Sequence, residues 1–263
     1  MNFLRKIKLS NTAYAVLAAV GIALVKIIFQ YLNIELFEVN PLLTAIISGN
    51  IFILGFLLNS TLRDYKEAEK FPGDIASTLE NIYDECEILY LNKPEQVALD
   101  AIAHTRKLNM MFKDWFEKKA YTQDILAEIS EFNKYWGAFE PLTQANFIVR
   151  LKNEQSNLRK MIVRINVIRD TPFYEASYKI ARLSVIFMVI MMTLLTSNPF
   201  YEYLFFVCII TFLNVFLVNL IKDLDDPFEY DQDDSKDEVS LKPFLDLEKR
   251  IEKRFEVKIK KNI

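Results

Sequence analysis

The sequence predicts an all-α membrane protein, bundled as four transmembrane helices that continue into a helical cytoplasmic region. Three observations carry this. Apolar residues, 52% of the chain, gather into two blocks, one near each end, and each block is long enough for a pair of spans. The charged middle repeats its apolar residues at three- and four-residue steps and contains little glycine, which is a helical pattern. The lysines and arginines that flank the spans all fall on one side of the membrane if both termini and the middle are cytoplasmic.

Residues 11–33, NTAYAVLAAVGIALVKIIFQYLN, carry one charge, Lys26, and can cross a hydrocarbon core ~30 Å thick. No small-residue cleavage site closes the run, so it reads as a span rather than a secretory signal. Residues 41–62, PLLTAIISGNIFILGFLLNSTL, are uncharged and form the second span, with no helix breaker between Leu62 and Phe71. A second pair stands near the C-terminus: residues 183–196, extended to 178–197 if Lys179 and Arg182 snorkel, and residues 203–221. The turn SNPFYEY between them is rich in aromatics, as a membrane interface is. Arg5, Lys6 and Lys8 precede the first span, Arg63, Lys66 and Lys70 follow the second, Lys179 and Arg182 precede the third, and Lys222 follows the fourth. The divisions expected are residues 1–62 (cytoplasmic N-terminus and two spans), 63–178 (cytoplasmic helical region), 179–222 (two spans) and 223–263 (acidic segment and C-terminal helix).

Within the middle region, Pro72-Gly73-Asp74 opens a helix to about Leu91, and Asn92-Lys93-Pro94 opens the next. There, Val97, Ala101, His104, Leu108, Met111 and Trp115 share a face. A third helix, TQDILAEISEFNKYW, ends at Gly137, and after Pro141 a long one runs to about Asp170. His104 on an apolar face reads as a core histidine with its hydrogen bond satisfied, and Trp115, Phe116, Phe132, Tyr135, Trp136 and Phe139 read as core. In the tail, Leu245, Ile251 and Phe255 would dock an amphipathic helix on the cytoplasmic body.

Several functions are excluded by composition. A net charge of −3, with no basic stripe among aromatics, argues against nucleic acid as a partner. Cys86 and Cys208 lie far apart, with His104 the one histidine, so zinc binding and Cys/His catalysis have no basis and the thiols read as reduced and buried. No phosphate loop, nucleophile elbow or metalloprotease motif is present, so no enzyme is expected.

What remains are polar groups in or beside the membrane. Thr44, Ser48, Phe52, Gly55 and Asn59 fall on one face of the second span. Small polar groups alternating with an aromatic suit a pore wall, and equally suit close helix packing. Lys26 either snorkels to the outer interface or stands in a water-filled vestibule, where its charge attracts anions. The run KDLDDPFEYDQDD after the fourth span is a solvated membrane exit, a repulsive mouth, or a set of oxygens for a hard cation. Pro227 keeps it out of a helix, and its spacing is not that of an EF-hand.

The segment Asp226-Pro227-Phe228-Glu229-Tyr230-Asp231-Gln232-Asp233-Asp234 resembles the Asn-Pro-Phe-Gly-Glu-acidic stretch that follows the last membrane helix of bestrophin channels. Arg63-Asp64-Tyr65-Lys66-Glu67, with Phe71-Pro72-Gly73-Asp74 after it, stands where bestrophins carry an Arg-aromatic-Tyr-Glu-Pro stretch. The region FLLNSTLRDYKEAEKFPGDIA is similar to that of bacterial bestrophin-like membrane proteins. The layout of spans resembles the family over nearly the whole chain, and the specific motifs cover a small part of it.

The resemblance implies a homopentameric channel for small inorganic ions, anions by default, in the plasma (bacterial inner) membrane among its lipids. An axial pore would be lined by the second span. The family's constricting positions match Thr44, Ser48 and Phe52, where two hydroxyls replace apolar rings and imply a wetter pore. The resemblance also implies calcium, with Asp231 and Asp234 giving carboxylates, Asp226 a carbonyl, and Asp223 standing in for an amide ligand. Glu229 replaces the family's glycine, and its tryptophan pair is absent. The rival reading is a non-conducting membrane sensor or scaffold whose cytoplasmic helices bind a partner. It predicts that Thr44, Ser48 and Phe52 pack against neighbouring helices.

Overall fold

In the computed structural model of the chain, residues 11–38, 40–170, 175–196, 198–225, 227–228 and 239–259 are described. The elements among them are helices: α1 (Asn11–Tyr31), α2 (Pro41–Ala68), α3 (Phe71–Asn92), α4 (Gln96–Phe116), α5 (Thr122–Phe139), α6 (Ala145–Asp170), α7 (Glu175–Thr193), α8 (Phe200–Asp225) and α9 (Lys242–Ile259). The chain divides into two compact units, one of Met1–Tyr65 with Pro172–Asp226, the other of Lys66–Thr171 with Pro227–Ile263.

The first unit holds α1, the apolar length of α2, α7 and α8. Ala15 and Ala19, four residues apart and both buried, let α1 lie closely on α8, where Val207 and Thr211 are buried in turn. Leu54 and Leu57 of α2 share a core with Ala181, Val185, Val218 and Ile221. A second cluster joins Leu43 to Met188, Met192, Leu195 and Val207.

Asn40 caps α2, its side-chain oxygen accepting the Leu43 N–H at 2.9 Å, and Pro41 follows at the position where a missing N–H costs nothing. From there α2 runs 28 residues without a break into its charged end, about 42 Å at 1.5 Å per residue. Three helical runs among the described residues are long and apolar enough to cross a membrane: α1, the run opening with α2, and α8. The 19-residue α7, with Glu175, Lys179 and Arg182 in its N-terminal half, is not among them.

The second unit packs α3 to α6 and α9 around an aromatic core. Phe132 stacks on Trp136 with ring centroids 5.0 Å apart, and Phe112 stacks on Phe244 of α9 at 6.1 Å. Trp115 Nε1–H donates to Thr122 Oγ1 at 3.0 Å and Trp136 Nε1–H to Gln155 Oε1 at 3.1 Å, so the buried indoles keep partners. Phe116 closes α4, and the chain turns at Lys118, whose φ of 58° is left-handed.

Three local expectations are corrected. α5 passes through Gly137 to Phe139 because Trp136 and Phe139 are both buried, and their packing outweighs the ~1 kcal/mol that a mid-helix glycine costs. α8 begins at Phe200, so much of the expected aromatic turn is helix. In the tail helix the buried face is Phe244, Leu247 and Ile251, at steps of three and four, while Leu245 is exposed. The side chain of Phe255 lies outside the described residues.

Candidate functional site

The five expected wall positions on α2, Thr44, Ser48, Phe52, Gly55 and Asn59, are all exposed in the single chain. Phe52 is 75% exposed. They share a side because steps of three and four residues return to one face of a helix. The side of α2 turned to its own unit is Leu43, Asn50, Leu54, Leu57 and Thr61, all buried. So among the described residues no helix covers Thr44, Ser48 or Phe52, and the packing that the sensor reading requires of them is not made there.

Lys26 is buried inside its own unit. It is 0% exposed, and its Nζ lies 2.8 Å from Glu35 Oε1. It also donates to the Leu195 carbonyl, and to that of Thr193 at 3.4 Å. Those carbonyls stand at the C-terminal end of α7, where a cation is favoured by the orphaned acceptors and the helix dipole. Glu35 is the ion-pair partner of the ammonium. Beside it, Leu36 N–H donates to Leu194 O at 2.9 Å and Thr196 N–H to Phe37 O at 2.6 Å, joining the loop after α1 to the loop after α7. Lys26 is a clasp between these loops.

Of the four expected calcium ligands, Asp223 is described, and Asp226, Asp231 and Asp234 lie outside the described residues. Asp223 is exposed on the last turn of α8, where its carboxylate accepts the Asn11 side-chain amide. Among the described residues no group of three or more His, Cys, Asp and Glu side chains could hold a metal ion. Pro227 and Phe228 inside the run, and Val239 after it, are nonetheless held in place. Phe228 is fully buried, 5.5 Å from the Phe116 ring and 5.2 Å from the Arg169 guanidinium, and Val239 N–H donates to Pro227 O at 3.3 Å.

No protein-family model matches the chain, and no curated protein matches it. Solved structures do. A crystal structure of a bacterial bestrophin homolog from Klebsiella pneumoniae, a point mutant, superposes with a TM-score of 0.78 at 13% identity, over 92% of this chain and 97% of that one. A second mutant of that homolog gives 0.72 at 16% identity, over 90% and 99%. A crystal structure described as a membrane protein gives 0.77 at 13%, over 92% and 97%. The chain has the bestrophin fold. At such identities the likeness carries the path of the backbone and leaves the side-chain chemistry to be argued from this chain.

One polar feature of this bestrophin fold was missed by sequence reasoning. Asn50 Nδ2 donates to Asn214 Oδ1 at 2.6 Å, and Asn214 Nδ2 to the Ile210 carbonyl at 2.7 Å, so two buried amides bond α2 to α8 inside the apolar unit. The available signal was the asparagines in both spans, Asn50 and Asn59 in the second and Asn214 and Asn219 in the fourth, since amides in hydrocarbon seek one another.

Proposed function

We propose that this chain is the subunit of a homopentameric ion channel, conducting anions, in the plasma membrane. In this reading α7 is the fourth span beside α1, α2 and α8, both termini are cytoplasmic, and the chain is not an enzyme. Thr44, Ser48, Phe52, Gly55 and Asn59 line the axial path.

The uncovered face of α2 carries the proposal. Hydroxyl and amide groups turned to lipid lose hydrogen bonds that water or another subunit supplies. A face of small polar residues around one large ring therefore fits a shared wall better than a lipid boundary. A ring of Phe52 side chains would be the narrowest part of that wall, with Thr44 and Ser48 wetting it toward the end of α2 at Pro41. The bestrophin fold supports the reading, as do the motifs at Arg63–Glu67 and Asp226–Asp234.

Purified protein in planar bilayers tests it. The expected outcome is single-channel current, larger in Phe52→Ala and altered in Ser48→Ala. A folded oligomer that carries no current would overturn it. Calcium belongs to the same proposal: Asp231 and Asp234 hold the ion with Asp226 and Asp223. Asp231→Asn and Asp234→Asn are then expected to lose calcium binding, and unchanged binding would return the acidic run to a solvated exit.

A further inference from the structure

His104, on α4, is 7% exposed and meets α5 through both ring nitrogens. Nε2 lies 3.0 Å from the backbone carbonyl of Glu128. A carbonyl only accepts, so Nε2 carries a proton, and in the neutral ring Nδ1 presents its lone pair. Nδ1 faces Glu128 Oε1 at 3.4 Å, and in the neutral ring that is a contact between two acceptors. The same oxygen accepts from Lys107 Nζ, whose side chain is 60% exposed. Phe132 stands edge-on to the imidazole at 4.7 Å and Tyr135 lies at 5.3 Å, so the ring is held in place and cannot turn Nδ1 elsewhere.

The charged and polar side chains around this ring are Asp100 and Lys107 from α4, and Glu128, Glu131, Lys134 and Tyr135 from α5. They line an open hollow of about 750 Å³. Burial holds His104 below the ordinary imidazole range. The Glu128 carbonyl and carboxylate, and Glu131, act upward, while Lys107 acts downward.

We propose that His104 Nδ1 and the Glu128 carboxylate are a proton-binding site at which acid exchanges partners. The incoming proton adds to Nδ1, the acceptor–acceptor contact becomes a charge-assisted N–H···O⁻ bond, and Lys107 is released into the hollow. The release costs little, because the Lys107 ammonium is exposed to water, whereas a hydrogen bond between charged groups is about twice as strong as a neutral one. The helical unit thereby gains one positive charge on a surface already carrying Lys134. This goes beyond the channel reading and stands without it, because it needs only α4 and α5.

The chain has a single histidine, so isotope-labelled histidine in the full-length protein reports this site alone by NMR. At neutral pH the expected state is Nε2 protonated and Nδ1 bare. Acid converts it in one step to the doubly protonated ring, with a midpoint below that of free histidine. Glu128→Gln lowers that midpoint further and Lys107→Met raises it. A neutral ring protonated on Nδ1, or a midpoint unmoved by Lys107→Met, overturns the proposal. Lys107 is exposed, so that variant keeps the test decisive if Glu128→Gln does not fold.

Discussion

Lys26 carries a full charge inside an apolar helix, and it is tolerated because Glu35 and the carbonyls at the end of α7 surround its ammonium. Removing one partner of a buried pair leaves the other uncompensated, a loss of about 3–5 kcal/mol, whereas replacing both by apolar residues is often neutral. Lys26→Met and Glu35→Gln should each lower the melting temperature, and the double variant Lys26→Met/Glu35→Leu should recover most of the loss. Equal losses in all three would mean that the pair does not couple the loops. The sequence showed a lysine beyond the middle of a span but not its neighbours, because the Glu35 loop and the end of α7 meet only through tertiary folding. His104 allows a second residue-scale test. Its folded-state pKa is depressed, so between the unfolded value of about 6.5 and the lower folded one, the unfolded chain binds more protons and stability falls with acid. His104→Gln removes that part of the slope, so melting temperature from pH 7.5 down to 5.5 should fall less steeply in the variant.

Element by element, α9 shows which force holds a terminal helix. Ile251, Leu247 and Phe244 are fully buried against the helical unit. Around them Arg250 pairs with Glu80 at 2.6 Å, and Arg254 reaches both Glu80 and Asp84. Arg250 is 47% exposed, and pairs of that kind contribute ~1 kcal/mol or less, while truncating a buried isoleucine costs about 2–5 kcal/mol. Ile251→Ala should therefore release α9 to limited proteolysis under conditions where Arg250→Ala leaves it docked. The helices of this unit were legible because their apolar spacing and openers such as Pro72 are local signals. On α9 the expected Ile251 is buried, and one position was read a residue out of place, at Leu245 instead of Phe244, because both are apolar and the choice belongs to the partner surface on α3 and α4. The length of α5 was also set by burial, of Trp136 and Phe139, rather than by Gly137.

At the scale of the whole molecule, the bestrophin fold was legible from the order of spans and two short motifs, although no family model matches the chain. The candidate wall on α2 was legible as a helical face, and that face is exposed among the described residues. What the sequence could not supply is what meets it, since no helix among the described residues does. The account rests on Thr44, Ser48 and Phe52 facing a shared aqueous axis. Imaging single particles of the purified protein measures this most directly, through rotational symmetry and the surroundings of α2. The account predicts five-fold symmetry with these three side chains turned toward a solvent-filled axis. A dimer, or a ring whose α2 face is buried against a neighbouring helix or sealed by lipid, would contradict it.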